Sequence, residues 1–120
     1  MDEKYVMRIA RTIGEQICSS TTTPVLMSWG IEELVATIYD NMPALRIKVN
    51  GRLHAGYVII ALNCSDYYEV YLLNDTETKC INKEVCFIEL GDVIDQAIES
   101  GTDKAEYDKF CDQQLVKLFD

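Results

Sequence analysis

The chain has 120 residues, the size of one domain, and at that length folding buries about two-thirds of the surface, enough for a core without staples. A composition that is 48% hydrophobic and 26% charged excludes a disordered tail. No apolar run approaches the ~20 residues needed to cross a bilayer, and Met1-Asp2-Glu3-Lys4 opens acidic without the apolar stretch of a secretory signal. The expectation is one cytoplasmic, soluble domain spanning 1–120.

The net charge of −9 is unevenly placed. In residues 1–60, Asp2, Glu3, Glu15, Glu32, Glu33 and Asp40 are offset by Lys4, Arg8, Arg11, Arg46, Lys48 and Arg52, so the whole deficit falls in residues 61–120. Every arginine lies in the first half. An acidic second half repels phosphate backbones, which argues against direct nucleic-acid binding and suits a basic protein partner. Solubility is the simpler account of the same charge. The five cysteines, Cys18, Cys64, Cys80, Cys86 and Cys111, are odd in number and form no C-x-x-C pair, as expected of reduced thiols. Cys18 and Cys111 read as small hydrophobes on or beside helical stripes. Cys80 and Cys86, with Cys64 and His54, match no zinc spacing.

Tyr5, Val6, Ile9, Ala10, Ile13 and Ile17 recur at helical spacing and predict a helix from about residue 3 to 18. Gly14 weakens that helix and points to a close packing contact. Ser19 to Pro24 is a run of polar and breaker residues that ends it. After the short apolar run Val25-Leu26-Met27, the spacing of Ile31, Leu34, Val35, Ile38 and Tyr39 predicts a second helix over 31–39, although the β-branched Val35 and Ile38 also suit a strand. Asn41 and Pro43 end this element in either case.

From Ala44 the period becomes two: Leu45, Ile47 and Val49 alternate with Arg46, Lys48 and Asn50. A three-residue loop Val49-Asn50-Gly51, with Gly51 left-handed, would pair Ile47 with Leu53 and keep apolar residues together. The run Tyr57 to Leu62 is continuously apolar, as in a central strand covered on both faces. Tyr67 to Leu73 predicts a third strand, and Lys79 to Ile88 a weaker fourth, with Val85 to Ile88 as its apolar part. Val93, Ile94, Ala97 and Ile98 then form a helical stripe with Asp92, Asp95 and Glu99 opposite, and Gly101 is placed to stop the helix. Asp103 and Glu106 open a last helix with the stripe Tyr107, Phe110, Cys111, Leu115 and Leu118. The predicted fold class is α+β, an antiparallel meander of three to four strands flanked by two N-terminal and two C-terminal helices.

Few residues point to chemistry. The single histidine, His54, falls at a hairpin end, and the strand that follows holds Cys64 and Ser65 ~33 Å away, so no nucleophile–histidine pair is expected. Asp92, Asp95 and Glu99 share a face with no apolar residue to desolvate them, which reads as solvated acid rather than a general acid–base pair or a cation site. No phosphate-binding glycine motif is present. No catalytic, cofactor-binding or metal site is assigned. Tyr67, Tyr68 and Tyr71 cluster on one strand, and tyrosine suits interfaces because its ring buries area while its hydroxyl stays wet. Should both helix pairs cover one side of the sheet, an apolar face would remain for a second copy or a ligand.

The layout of Glu15-Gln16-Ile17, Val25 to Gly30, Ala44 to Val49, Val58 to Asn63 and Tyr67-Tyr68-Glu69-Val70 resembles a group of small uncharacterised bacterial proteins of phage, plasmid and conjugative-element neighbourhoods, over about residues 5 to 100. The resemblance implies an accessory role in a mobile element and no activity or site. The functional expectation is a non-enzymatic protein-interaction domain, with Tyr67, Tyr68, Tyr71, Asp92, Asp95 and Glu99 as its candidate surface and a homo-oligomer through a sheet face as one form of it. The alternatives are an acidic mimic of nucleic acid that inhibits a nucleic-acid enzyme, and a small ligand-binding protein or enzyme with a site near His54.

Overall fold

A computed structural model describes residues 2–100. Their elements are helices α1 (Glu3–Ser20) and α2 (Thr23–Ser28), strands β1 (Glu33–Tyr39), β2 (Met42–Asn50), β3 (Ala55–Leu62), β4 (Tyr68–Leu73) and β5 (Thr78–Val85), a 3-10 turn Phe87–Glu89, and helix α3 (Leu90–Asp95), which runs into a π turn Gln96–Ser100. The five strands form one antiparallel sheet in chain order, so the fold is an α+β meander with one strand more than the most expected. The expected last helix from Asp103, and Gly101 as the stop of the helix before it, lie outside the described residues.

Asp2 caps α1, its side chain accepting from the Lys4 amide at 3.1 Å, with Glu3 in the first turn where the helix dipole favours an acid. Val6, Ala10, Ile13 and Ile17 are its buried stripe. The helix runs through Ser19 and Ser20, beyond the expected end. Pro24 is not a terminator: it sits in the first turn of α2, where its missing N–H costs nothing.

The expected helix over 31–39 is corrected to strand β1. Asp40 and Asn41, with φ of 49° and 62°, make a two-residue turn of the I′ kind, whose twist matches that of flanking strands. Pairing with β2 from Tyr39↔Met42 to Glu33↔Lys48 then outweighs the helical spacing, and the β-branched Val35, Thr37 and Ile38 suit the pleat. The helix that follows α1 lies earlier, at α2.

The β2–β3 loop is also corrected. Ile47 pairs with Val58 and Leu45 with Ile60, through a four-residue loop 51–54 closed by the Gly51 amide donating to the His54 carbonyl at 3.0 Å. Leu45, Ile47 and Val49 therefore share a face with Val58 and Ile60, not with Tyr57 and Ile59. Gly51 is not left-handed. It is glycine because an added Cβ would lie 2.4 Å from the Ile98 carbonyl oxygen. Leu53 leaves the sheet, its amide donating to that same carbonyl at 2.8 Å.

The central strand β3 is buried on both faces, as its apolar run requires. The main core joins Ile13, Ile17, Trp29, Ile47, Val58, Ile60, Val70, Leu90, Ile94 and Ile98, so α1, α2 and α3 all contribute to one side of the sheet. A second cluster on the other side, Ala44, Ile59, Ala61 and Tyr71 with Tyr39, Met42 and Leu73, is made, among the described residues, of strand residues alone. The Tyr39 and Tyr71 rings, from strands three apart, meet at 4.7 Å along a diagonal that passes over Ala44 and Ala61. Val85 ends β5, and Phe87 and Ile88, expected in that strand, turn outward and are exposed.

Candidate interaction surface

The structure separates the residues nominated as one surface. Tyr67 precedes β4 and is 44% exposed. Tyr68 points into the main core, where its hydroxyl donates to Gln16 Oε1 at 2.5 Å. Burial pushes its phenol above the usual value. Tyr71 lies on the opposite face and donates to Glu69 Oε1 at 2.5 Å. That bond first, then burial and the carboxylate's charge, hold its phenol far above the usual value. Alternate residues of a strand share a face, so Tyr68 and Tyr71, three apart, point to opposite faces and cannot belong to one patch.

The acidic face is corrected likewise. Asp92 is exposed, but Asp95 Oδ1 accepts the indole N–H of Trp29 at 2.9 Å. Glu99, 6% exposed, accepts the Arg52 amide at 2.6 Å, while the Arg52 Nε donates to its backbone carbonyl at 2.9 Å. Two of the three carboxylates hold the fold together. Cys18, read as a small hydrophobe beside the α1 stripe, is exposed. Among the described residues no three His, Cys, Asp or Glu side chains gather as a metal-binding group.

His54 lies beside a cleft of about 660 Å³ between the β2–β3 loop, the β4–β5 pair and α3, with Leu53, Leu72, Ile81, Val93 and Ala97 as apolar walls. Its Nε2 is 3.2 Å from the Tyr57 carbonyl, which can only accept, so the bond needs the proton on Nε2. Cys64 and Ser65 sit past the far end of β3, eight residues long, at the opposite end of the sheet. On the polar rim, Asn74 Oδ1 accepts from Thr76 and Glu77, and Asn82 Oδ1 from the Glu84 amide.

A second groove, of about 620 Å³, runs between α1 and β1, lined by Met7, Ala10, Gly14 and Cys18 from the helix and Leu34 and Ala36 from the strand. Leu34 is 60%, Ile38 50% and Met7 49% exposed. No part of the sequence reading singled out this groove, because it depends on 31–39 being a strand.

The two sheet edges differ in kind. The β5 edge carries Lys79, Lys83 and Glu84, and its pairing with β4 shifts register near Val70, the charges and irregularity that protect natural edges. β1 (Glu-Leu-Val-Ala-Thr-Ile-Tyr) pairs in regular register, has no lysine, proline or bulge within the ladder, and carries its one charge at its start. That Glu33 is 3.7 Å from Arg46, and Glu32 is 3.5 Å from Lys48, so local charge is balanced.

No protein-family model, curated protein or solved structure matches the chain. No described helix is long and apolar enough to cross a membrane.

Proposed function

We propose that this is a non-enzymatic, cytoplasmic protein-interaction domain that takes a partner's strand at the β1 edge and the partner's apolar side chains beside the α1–β1 groove. The observation that carries this reading is the contrast between the edges: β5 is guarded by Lys79, Lys83, Glu84 and a register shift, whereas β1 has one charge, Glu33 at its start, and pairs in regular register. Strand addition draws affinity from main-chain hydrogen bonds and selectivity from pockets for alternate side chains, and Leu34, Ala36 and Ile38 beside the groove supply such a face. An accessory role in a bacterial mobile element is the setting the resemblance offers.

The test is capture from a bacterial lysate by the wild-type protein, by Leu34→Lys on the β1 edge and by Lys79→Ala on the β5 edge. Bound protein lost with Leu34→Lys and kept with Lys79→Ala is the expected result. Equal recovery by all three, from a protein that is monomeric in solution, would sink the reading.

A second reading, a small-ligand site, draws on the cleft at His54. Its catalytic form predicts that His54→Ala abolishes turnover, and an unchanged rate would end it. The acidic-mimic reading is weakened by the internal bonds of Asp95 and Glu99.

A further inference from the structure

The partner of the β1 edge can be narrowed, on the strength of the edge reading above. In a two-residue I′ hairpin the flanking residues form a hydrogen-bonded pair, here Tyr39 and Met42. Pairing alternates along an antiparallel ladder, so Tyr39, Thr37, Val35 and Glu33 bond to β2, and Leu34, Ala36 and Ile38 direct their N–H and C=O groups out of the sheet. The same three residues carry their side chains on the helix-covered face, next to the groove. Among the described residues β1 has one neighbouring strand.

We infer that the occupant of this edge is a second copy of the chain, joined antiparallel about a two-fold axis at Ala36. Only outward-facing residues can form hydrogen-bonded pairs, and the register that pairs the most of them sets Ala36 against the partner's Ala36 and Leu34 against the partner's Ile38. Leu34 and Ile38, the two most exposed side chains of β1 on that face, cover one another twice over. On the opposite face Val35 meets the partner's Thr37, and Glu33 meets the partner's Tyr39. No like charges are opposed anywhere along the strand, as a self-complementary interface requires.

Charge at larger scale favours the same occupant. Two chains of net charge −9 repel, and the repulsion is least where the charge is locally balanced. The groove and edge are built from residues 7–45, within the neutral half, with Arg46 and Lys48 beside Glu33 and Glu32. A basic foreign partner would be drawn to the acidic half instead. The product is one continuous ten-stranded sheet, with each β1 converted from an edge to an interior strand.

Sedimentation over a wide concentration range tests this on the full chain, with far-ultraviolet circular dichroism and the fluorescence of Trp29 confirming the fold of each variant. The wild type is expected to dimerise. Leu34→Lys, at an exposed position, is expected to weaken the dimer about tenfold or more, because two cross-strand pairs are lost per dimer. Ala36→Pro removes an outward amide without touching the bonds to β2 and is expected to do the same; Lys79→Ala on β5 is expected to change nothing. A dimer indifferent to both β1 variants would overturn the inference, and so would a wild type that stays monomeric throughout. In the monomeric case, capture lost with Leu34→Lys keeps the edge reading with a foreign partner, whereas capture unaffected by Leu34→Lys removes both.

Discussion

The indole N–H of Trp29 donates to Asp95 at 2.9 Å, joining the end of α2 to α3 across 66 positions of sequence. Trp29 is fully buried, so its N–H has no access to water and depends on this carboxylate. A residue that periodicity places on an acidic outer face is thereby the acceptor for the largest side chain of the core.

Asp95→Ala leaves that donor unpaired and is expected to destabilise the fold by about 1–3 kcal/mol, whereas Asp95→Asn keeps an acceptor and is expected to cost less. Trp29 is the one tryptophan, so urea unfolding followed by its fluorescence measures both variants. Equal losses for the two would show that the hydrogen bond contributes little.

Gly51→Ala sets a methyl group 2.4 Å from the Ile98 carbonyl oxygen, a backbone atom that cannot turn aside. The expected result is a destabilisation of about 1–3 kcal/mol, in the range of overpacked sites. The Leu53 amide, bonded to the same carbonyl, should lose protection from hydrogen exchange before the amides of β3 do.

Gly14→Ala is expected to act in the opposite direction. A Cβ there would stand 4.0 Å from Leu45 Cδ2, an ordinary contact, so the close packing that a helical glycine suggests does not forbid alanine. The helix should gain about 0.5–1 kcal/mol, read as a raised urea midpoint with unchanged slope. Because Gly14 also lines the groove, the same variant should alter binding there if the groove is used.

Tyr71 supplies a pH dependence. Its phenol is held above the usual value near 10 by its bond to Glu69, so the folded state keeps a proton that the unfolded chain releases. Its contribution is complete below pH ~10 and falls as the pH rises beyond that point. Stability should therefore decline on the alkaline side. Tyr71→Phe should flatten that decline while lowering stability at neutral pH, because Glu69 Oε1 loses its donor. An unchanged alkaline slope in Tyr71→Phe would refute the assignment.

Local signals account for most of the elements. The stripe Val6, Ala10, Ile13 and Ile17 named α1, the alternation from Leu45 named β2, and the apolar run Tyr57–Leu62 named β3 as a central strand. The failures were of two kinds. For 31–39, five apolar residues at helical spacing favoured a helix, and only the β-branched Val35 and Ile38 spoke for a strand. The hairpin through Asp40 and Asn41 decided between them, because pairing seven residues with β2 is a cooperative gain that spacing cannot register. For the β2–β3 loop, apolar pairing alone favoured bringing Leu53 into the strand, but Leu53 is drawn out by Ile98, 45 residues later.

The expectation of binding rather than chemistry came from charge, size and the poverty of catalytic groups, properties that are sums over the chain and need no coordinates. Which residues face a partner is a property of contacts distant in sequence. Asp95 and Glu99 read as surface because no local pattern could reveal Trp29 and Arg52 as their partners, and Tyr67, Tyr68 and Tyr71 read as a cluster because adjacency along a strand hides the alternation of its faces. The edge at β1 arose only when tertiary pairing made 33–39 a strand and left it outermost among the described strands, with Leu34, Ala36 and Ile38 turning their backbone groups away from β2.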